Sequence, residues 1–335
     1  MQTRVPIADA SWVGEARRAA LRLAVSVGLG EARRGDAAIV ATELASNLAR
    51  HAERGHLLLQ GIRSRGGEFL EMVAVDSGPG IANLQRCLQD GYSTGGTAGT
   101  GFGAVRRLSD EFDAFSTPGK GTVVVARLRA KADGEPTPFI VGTTCLPAPH
   151  ESVCGDTWRV SAERDRLAVM VADGLGHGPG AEEAALLAAD VFARDPFSED
   201  TAFYAAANAQ LGRSRGAAVA RAIVRPDRDI TFASIGNVAG TLLDVDGRRG
   251  FPSQNGIVGT QLRSRIQTQT YAWPRNGLLV MHSDGLTSRW SLDEYPGLLL
   301  RHPATIATIL SRDFSRGRDD ATAVVVRCAE GHGAC

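Results

Sequence analysis

Four aspartate-bearing stretches sit at the edges of apolar, β-prone runs, and their residue types point to metal chemistry. They are Cys154-Gly-Asp156; Val169-Met-Val-Ala-Asp-Gly-Leu-Gly-His-Gly178, with Asp173 and His177; Met281-His-Ser-Asp-Gly285, with Asp284; and Arg318-Asp-Asp-Ala-Thr322, with Asp319 and Asp320. A single Asp-Gly after a strand is ordinarily a turn. Several such acids gathered at one end of a sheet would repel one another, and a hard divalent cation with oxygen ligands relieves that repulsion. A second set lies earlier in the chain. Glu43 and Asn47 are spaced to share one face of a helix. Asp76-Ser-Gly-Pro-Gly80 closes an apolar run, and the segment from Gly91 to Gly103 is a glycine-rich loop that opens into a helix. Such a loop can bring backbone N–H groups and a helix N-terminus to a phosphate chain, although a flexible connector has the same composition.

The elements that must position these residues follow from periodicity. Trp12, Ala16, Ala19, Leu23 and Val27 recur at helical spacing over residues 11–29. A second helix is expected over 35–52, with Asp36 as its N-cap and Ile39, Val40, Leu44 and Leu48 on its apolar face. Strand runs at 57–62 and 68–75 predict a hairpin, and 111–115 with 122–128 predict another. Residues 130–138 combine charge, glycine and two prolines without periodicity, the composition of a linker. Beyond it, strands at 139–143, 157–160 and 166–172 precede helices at 179–194, where Pro179 suits a first turn, and at 200–213. Strands at 217–224, 229–235, 240–244 and 278–281, a helix at 303–315 and a strand at 322–327 follow.

With 335 residues the chain has room for two domains, each with its own core. Lys plus Arg total 37, as do Asp plus Glu, so no overall field points to nucleic acid or an anionic membrane. No apolar run approaches the roughly 20 residues of a membrane span, and no signal-peptide pattern opens the chain, so a soluble cytoplasmic protein is expected. Five scattered cysteines without a C-x-x-C pair argue against a disulfide framework and against zinc.

The order Glu43-Leu-Ala-Ser-Asn47, Asp76-Ser-Gly-Pro-Gly80, Gly99-Thr-Gly-Phe-Gly103 and Gly119-Lys-Gly-Thr122 resembles the nucleotide-binding domain of the histidine-kinase-like (GHKL) ATPases. It is most similar to the anti-sigma-factor serine kinases of bacterial partner-switching systems. The resemblance implies a Bergerat-type α/β sandwich that binds ATP and Mg2+. It implies that Asn47 holds Mg2+ against the phosphates and that Glu43 polarises the attacking hydroxyl. By the same resemblance Asp76 accepts a hydrogen bond from the adenine amino group, Gly78 and Gly80 allow close approach, and amides near Gly99, Gly101 and Gly103 cradle the phosphates.

Farther on, Gly-Asp, Ala-Asp-Gly, Ser-Asp-Gly and Asp-Asp-Ala-Thr occur in an order that resembles the PPM-type metal-dependent Ser/Thr phosphatases, in particular the SpoIIE-like branch. The variant Ala-Asp-Gly-Leu-Gly-His-Gly and the later Ser-Ile-Gly-Asn237 favour the partner-switching phosphatases within it. This implies an α-β-β-α sandwich with two Mn2+ or Mg2+ ions. Asp156 and Asp173 would bridge or flank them, the Gly174 carbonyl would be a further ligand, and Asp284 and Asp319 would complete one ion's shell, with Asp320 behind them. His177 is either the acid for the leaving serine oxygen or a solvent-facing loop residue.

The expected fold is therefore α+β in two domains: an ATPase domain over 1–130, a linker over 131–138, a phosphatase domain over 139–330 and a tail over 331–335. The expected function is a bifunctional partner-switching protein, a serine kinase or anti-sigma module fused to a phosphoserine phosphatase. By resemblance its partner is a STAS-domain antagonist protein, with a sigma factor or another switch target as a further candidate. Two alternatives stay open: an ATP-shaped surface that only sequesters a partner, and a first domain that only regulates the second.

Overall fold

A computed structural model describes residues 2–64, 67–87, 101–131, 137–226, 228–244, 247–260, 262 and 265–328. The chain forms two compact units, Met1–Gly134 with Leu292–Thr305, and Glu135–Ser291 with Ile306–Cys335. No helix among the described residues is long and apolar enough to cross a membrane.

The first unit runs β1 (Thr3–Pro6), α1 (Val13–Ser26), α2 (Glu31–His51), β2 (His56–Ser64), β3 (Gly67–Val75), α3 (Leu84–Cys87), α4 (Gly101–Leu108), β4 (Glu111–Thr117) and β5 (Gly121–Lys131). Its antiparallel sheet has the order β1-β2-β3-β5-β4. Leu57, Leu59, Leu70, Met72, Val124 and Ala126 face the helices and share a core with Ala16, Ala20, Val40 and Leu44. Helix α2 starts earlier than its sequence suggested. Gly30 supplies the extended entry residue, and Asp36 lies inside the helix, where its carboxylate meets Arg33 at 2.9 Å.

Side chains alternate along a strand, so the residues between those core positions point to the other face of the sheet. A polar row crosses that face. Gln60 Nε2 donates to Glu71 Oε1 at 2.6 Å, Arg127 Nε donates to Glu71 Oε2 at 2.7 Å, and Arg127 Nη1 donates to Glu111 Oε2 at 3.0 Å. Each is a cross-strand pair in the ladder. Glu71 and Arg127 are buried, and such charges persist inside a protein only when paired. Leu292–Thr305, which the sequence placed in the second domain, belongs to this first unit. Asp113 on β4 fastens it, accepting from His302 N at 3.0 Å and from Thr305 Oγ1 at 2.7 Å through Oδ2.

The second unit contains β6 (Phe139–Leu146), β7 (Asp156–Ala162), β8 (Leu167–Gly174), α5 (Pro179–Arg194), α6 (Asp200–Leu211), β9 (Ala217–Arg225), β10 (Asp229–Ile235), β11 (Ala239–Asp244), β12 (Gly247–Phe251), β13 (Gln269–Ala272), β14 (Leu278–His282), α7 (Pro303–Phe314) from Ile306 onward, and β15 (Ala321–Cys328). Two antiparallel sheets form, β13-β10-β9-β8-β7 and β12-β11-β14-β15-β6. Strand β8 shows why the layers stack. Its Leu167, Val169 and Val171 enter a core shared with Leu279, Met281, Val324 and Val326 of the other sheet. The alternate residues Ala168, Met170 and Ala172 pack with Ala185, Ala188, Phe192, Phe203 and Tyr204 of α5 and α6. On the other sheet, Thr144 Oγ1 of β6 donates to the Ala307 carbonyl of α7 at 3.5 Å. The unit is an α-β-β-α sandwich.

The half-buried Glu111 links part of the first unit's stability to pH. Burial would raise its carboxyl, but His302, 3.4 Å away, and the Arg127 guanidinium outweigh burial and bring it down from the ordinary 4.5 to about 2. A depressed folded value means the stabilisation is fully present above pH 4.5 and is lost as pH falls toward 2. Hydrogen exchange at β4 and β5 amides across that window should show protection falling in the native chain and a flatter profile in Glu111→Gln.

Candidate functional site

In the second unit the aspartates reach one strand end by simple register. Asp156 opens β7, Asp173 nearly closes β8, and the two are directly opposite each other. Strands β14 and β15 are neighbours with His282 opposite Ala323, so Asp284, just after β14, and Asp319, just before β15, leave adjacent strands at the same end. Ser283 ties the two sheets together there. Its Oγ donates to Asp156 Oδ2 at 2.6 Å and accepts from Thr322 N at 3.0 Å. Asn237 Nδ2 donates to Asp284 Oδ2 at 2.5 Å, and Asp320 Oδ1 accepts from Ala148 N at 2.8 Å.

Close approach at this end depends on absent side chains. A Cβ on Gly285 would lie 1.8 Å from the Asp320 carbonyl oxygen, and one on Gly174 would lie 2.0 Å from that of Ala181. Both contacts are backbone, so no rotamer change can relieve them.

The electrostatics match the crowding. Burial and the charges of Asp156, Asp284, Asp319 and Asp320 push the Asp173 carboxyl far above the ordinary range. Asp156 is also raised, by burial first and then by Asp320 and Asp319, against the opposing hydrogen bond from Ser283. Asp320 is raised by burial, opposed by backbone donors. Carboxyl groups in this state lose their protons to water readily only when a cation takes the proton's place, so the donor set fits a hard divalent ion. Among the described residues no three Asp, Glu, His or Cys side chains already close into an ion cage.

His177 is exposed, and its Nδ1 lies 2.5 Å from Glu151 Oε1. Glu151, Ser283 and Asn237 were not assigned roles from sequence. Ser283 stood beside Asp284 in its motif, and Asn237 closed the Ser-Ile-Gly-Asn signature, but a hydrogen bond between segments far apart in the chain leaves no mark in sequence.

The first unit holds a separate group. Glu43 and Asn47 lie on α2, and α4 begins against them: a Cβ on Gly101 would lie 3.2 Å from Glu43 Oε2 and 3.5 Å from Asn47 Nδ2. Asn47 Nδ2 is buried and has no hydrogen-bond partner among the described residues. An orphaned amide beside a carboxylate and a helix N-terminus fits an anion with its cation, the amide offering one donor and one acceptor. Gly101 and Gly103 lie within α4 and not in the loop before it; Gly99 lies outside the described residues. The Asp76 loop is fastened at several points. Asp76 N donates to the Thr122 carbonyl at 3.1 Å, Gly78 N donates to Asp76 Oδ1 at 2.7 Å, and Gly119 N donates to the Pro79 carbonyl at 2.8 Å. Gly80, with φ of +73°, would place a Cβ 2.4 Å from the Thr117 carbonyl oxygen.

Comparison with known proteins assigns both halves. Residues 7–128 match the histidine kinase-like ATPase domain, and residues 163–329 match the stage II sporulation protein E (SpoIIE) family. The serine/threonine-protein kinase RsbT of Bacillus subtilis is 34% identical over 111 residues, which is 33% of this chain and 84% of that protein. The chain belongs to the histidine kinase-like ATPases, joined to a SpoIIE-type serine/threonine phosphatase domain. The phosphoserine phosphatase RsbX of the same organism is 26% identical over 137 residues, 41% of this chain and 69% of that protein. A solved chain from the bacterial stressosome shares the fold, with a TM-score of 0.53 at 24% identity over 56% of this chain and 99% of its own. The SpoIIE match begins after Asp156; the β7–β8 ladder is what brings that residue to Asp173.

Asn237, itself exposed, holds the Asp284 carboxylate through its side-chain amide. Asn237→Ala is expected to weaken Mn2+ binding by roughly 10- to 100-fold, which calorimetric titration of the intact protein would measure.

Proposed function

We propose that this protein is a bifunctional partner-switching enzyme that phosphorylates and dephosphorylates serine on one cytoplasmic partner, a STAS-domain antagonist. The observation that supports the phosphatase arm most is the shared strand end of Asp156, Asp173, Asp284, Asp319 and Asp320, whose mutual repulsion calls for cations. Asp156, Asp173, Asp284, Asp319 and the Gly174 carbonyl hold Mn2+ or Mg2+. When bound there, the ions supply Lewis acidity and offset charge on the phosphoryl oxygens. Ser283, Asn237 and Asp320 orient the ligands. Glu151 engages Nδ1 of His177, which leaves Nε2 as the ring nitrogen that protonates the departing serine oxygen.

The kinase arm rests on Glu43, Asn47 and Gly101 meeting at the start of α4, together with the RsbT likeness over this part of the chain. Asn47 holds Mg2+ at the ATP phosphates, Asp76 receives the adenine amino group, and Glu43 polarises the serine hydroxyl. Positioning and charge neutralisation are what phosphoryl transfer chiefly requires.

Two substitutions separate the arms. Asp173→Asn should depress Mn2+-dependent hydrolysis of a phosphorylated STAS partner beyond the roughly 10- to 100-fold typical of an outer-shell loss, while the metal-free protein melts no lower because one repelling charge is gone. Near-normal turnover in that variant would defeat the metal assignment. With γ-labelled ATP and an unphosphorylated STAS partner, label should pass to the partner from the native chain and not from Asn47→Ala. Binding of ATP without any transfer by the native chain would make the first domain a sequestering module.

A further inference from the structure

We infer that Cys145 and Cys154 are a site of reversible disulfide formation, at which hydrogen peroxide weakens the hold of the neighbouring aspartates on their cation. The bond itself rests on the geometry of the two thiols, and its consequence rests on the metal site proposed above.

A short turn builds the pair. Cys145 is the next-to-last residue of β6, opposite Thr322 of β15. The chain leaves through Leu146-Pro-Ala-Pro149 and reverses at His150, whose φ of +73° is left-handed, with Glu151 N donating to the Ala148 carbonyl at 3.1 Å. Two prolines narrow the conformations open to this connection. Cys154 is thereby returned to the end of β6. The two Sγ atoms are 3.5 Å apart, and Cys145 Sγ is 3.6 Å from the Asp156 carbonyl oxygen. Thiols already in contact across a closed turn need only a small approach to reach the about 2.05 Å of a disulfide. Cys87 lies on α3 of the first unit, and Cys328 closes β15 at the end away from Asp319.

The oxidation balances with hydrogen peroxide as the electron acceptor. Cys145 is half-buried and Cys154 is buried, so a dissolved oxidant meets Cys145 first. Its sulfur takes one peroxide oxygen as a sulfenic acid while the O–O bond breaks and one water leaves. The Cys154 sulfur then attacks that sulfur, the S–O bond breaks and a second water leaves. Two thiols and one hydrogen peroxide thus give one disulfide and two waters, and an external dithiol reverses the bond by exchange.

The site lies against the proposed cation ligands. Gly174 N donates to the Gly155 carbonyl at 3.0 Å, so the backbone between Cys154 and Asp156 is tied to the strand that carries Asp173. A Cβ on Gly155 would fall 2.6 Å from Asp320 Oδ2 and 2.7 Å from Ala181 Cβ, which leaves Gly155 no free space on that side. Within the turn, Ala148 N donates to Asp320 Oδ1 at 2.8 Å. Bringing the sulfurs about 1.5 Å closer, from 3.5 Å to the disulfide length, therefore pulls on the two segments that hold Asp156 and Asp320.

The test compares the full chain reduced and after hydrogen peroxide, with the oxidant removed, in native protein, Cys145→Ser and the control Cys328→Ala. Peptide mapping after alkylation without reduction should show Cys145 linked to Cys154 in oxidised native protein and Cys328→Ala. Calorimetric Mn2+ binding should weaken roughly 10- to 100-fold on oxidation of native protein, the scale of disturbing a ligand's support, and should recover with dithiothreitol. Cys145→Ser should bind Mn2+ as reduced native protein does and keep that affinity after peroxide. Oxidation of the two thiols only to sulfinic or sulfonic acids, or pairing of either with another cysteine, overturns the disulfide site. A linked peptide with unchanged Mn2+ affinity overturns its effect on the cation, as does an equal loss of affinity in Cys145→Ser, which would trace the loss to another oxidised group. If reduced native protein binds no Mn2+, the metal assignment of the proposed function falls instead, and the linked peptide alone decides the disulfide site.

Discussion

Asp156, Asp173, Asp284, Asp319 and Asp320 are carried to one end of two packed sheets, where burial and the neighbouring carboxylates make Asp156, Asp173 and Asp320 harder to ionise. Nothing in a folded core favours that arrangement by itself. It persists because the strands that deliver the acids are held by apolar packing elsewhere, with Val169, Val171, Met281 and Val324 in one continuous core. The backbones can then close on one another only where side chains are missing, at Gly174 and Gly285. Packing energy thus supports an electrostatically unfavourable cluster, and a cation is the natural counterpart of the charge that results.

The first unit handles buried charge in the opposite manner. Its polar row crosses the sheet with donor facing acceptor at each step, and Arg127 joins Glu71 to Glu111. The row is nearly self-neutralising and needs no ligand, which marks it as structural. The ligand-seeking group in that unit is smaller: the Asn47 amide, the Glu43 carboxylate and the start of α4. Too few hard ligands meet there for a protein-only cation cage, in keeping with an ion that arrives with phosphate oxygens of its own. Under the function proposed above, one chain would hold two designs for divalent ions, one built from converging carboxylates and one completed by a nucleotide.

Most elements were legible because burial imposes a period. The unbroken apolar run Leu167 to Ala172 announced a buried strand, and the spacing of Trp12, Ala16 and Ala19 announced α1. The strands that escaped notice were β1, β12 and β13, each at the edge of a sheet. An edge strand is short, and its solvent side places little constraint on residue type. In Gln269–Ala272 and Gly247–Phe251 the apolar alternation is correspondingly weak. The start of α2 was missed because Gly30 offers no capping side chain to read. The docking of Leu292–Thr305 in the first unit depends on Asp113, nearly two hundred residues earlier, and no local pattern reports such a bond.

The sequence by itself determined the residue types, the order of the motifs and the periodicity of the elements that bear them. Motif order, through its resemblance to two known families, then implied the two folds and the two kinds of chemistry, while apolar spacing placed the elements. Tertiary structure alone decided which side chains meet. Antiparallel register set Asp156 against Asp173, while Ser283 and Asn237 became the groups that hold Asp156 and Asp284. The physical reason is range: a period is read within a few residues, whereas a hydrogen bond or a carboxylate cluster depends on chain segments that approach only after the sheets have paired and packed.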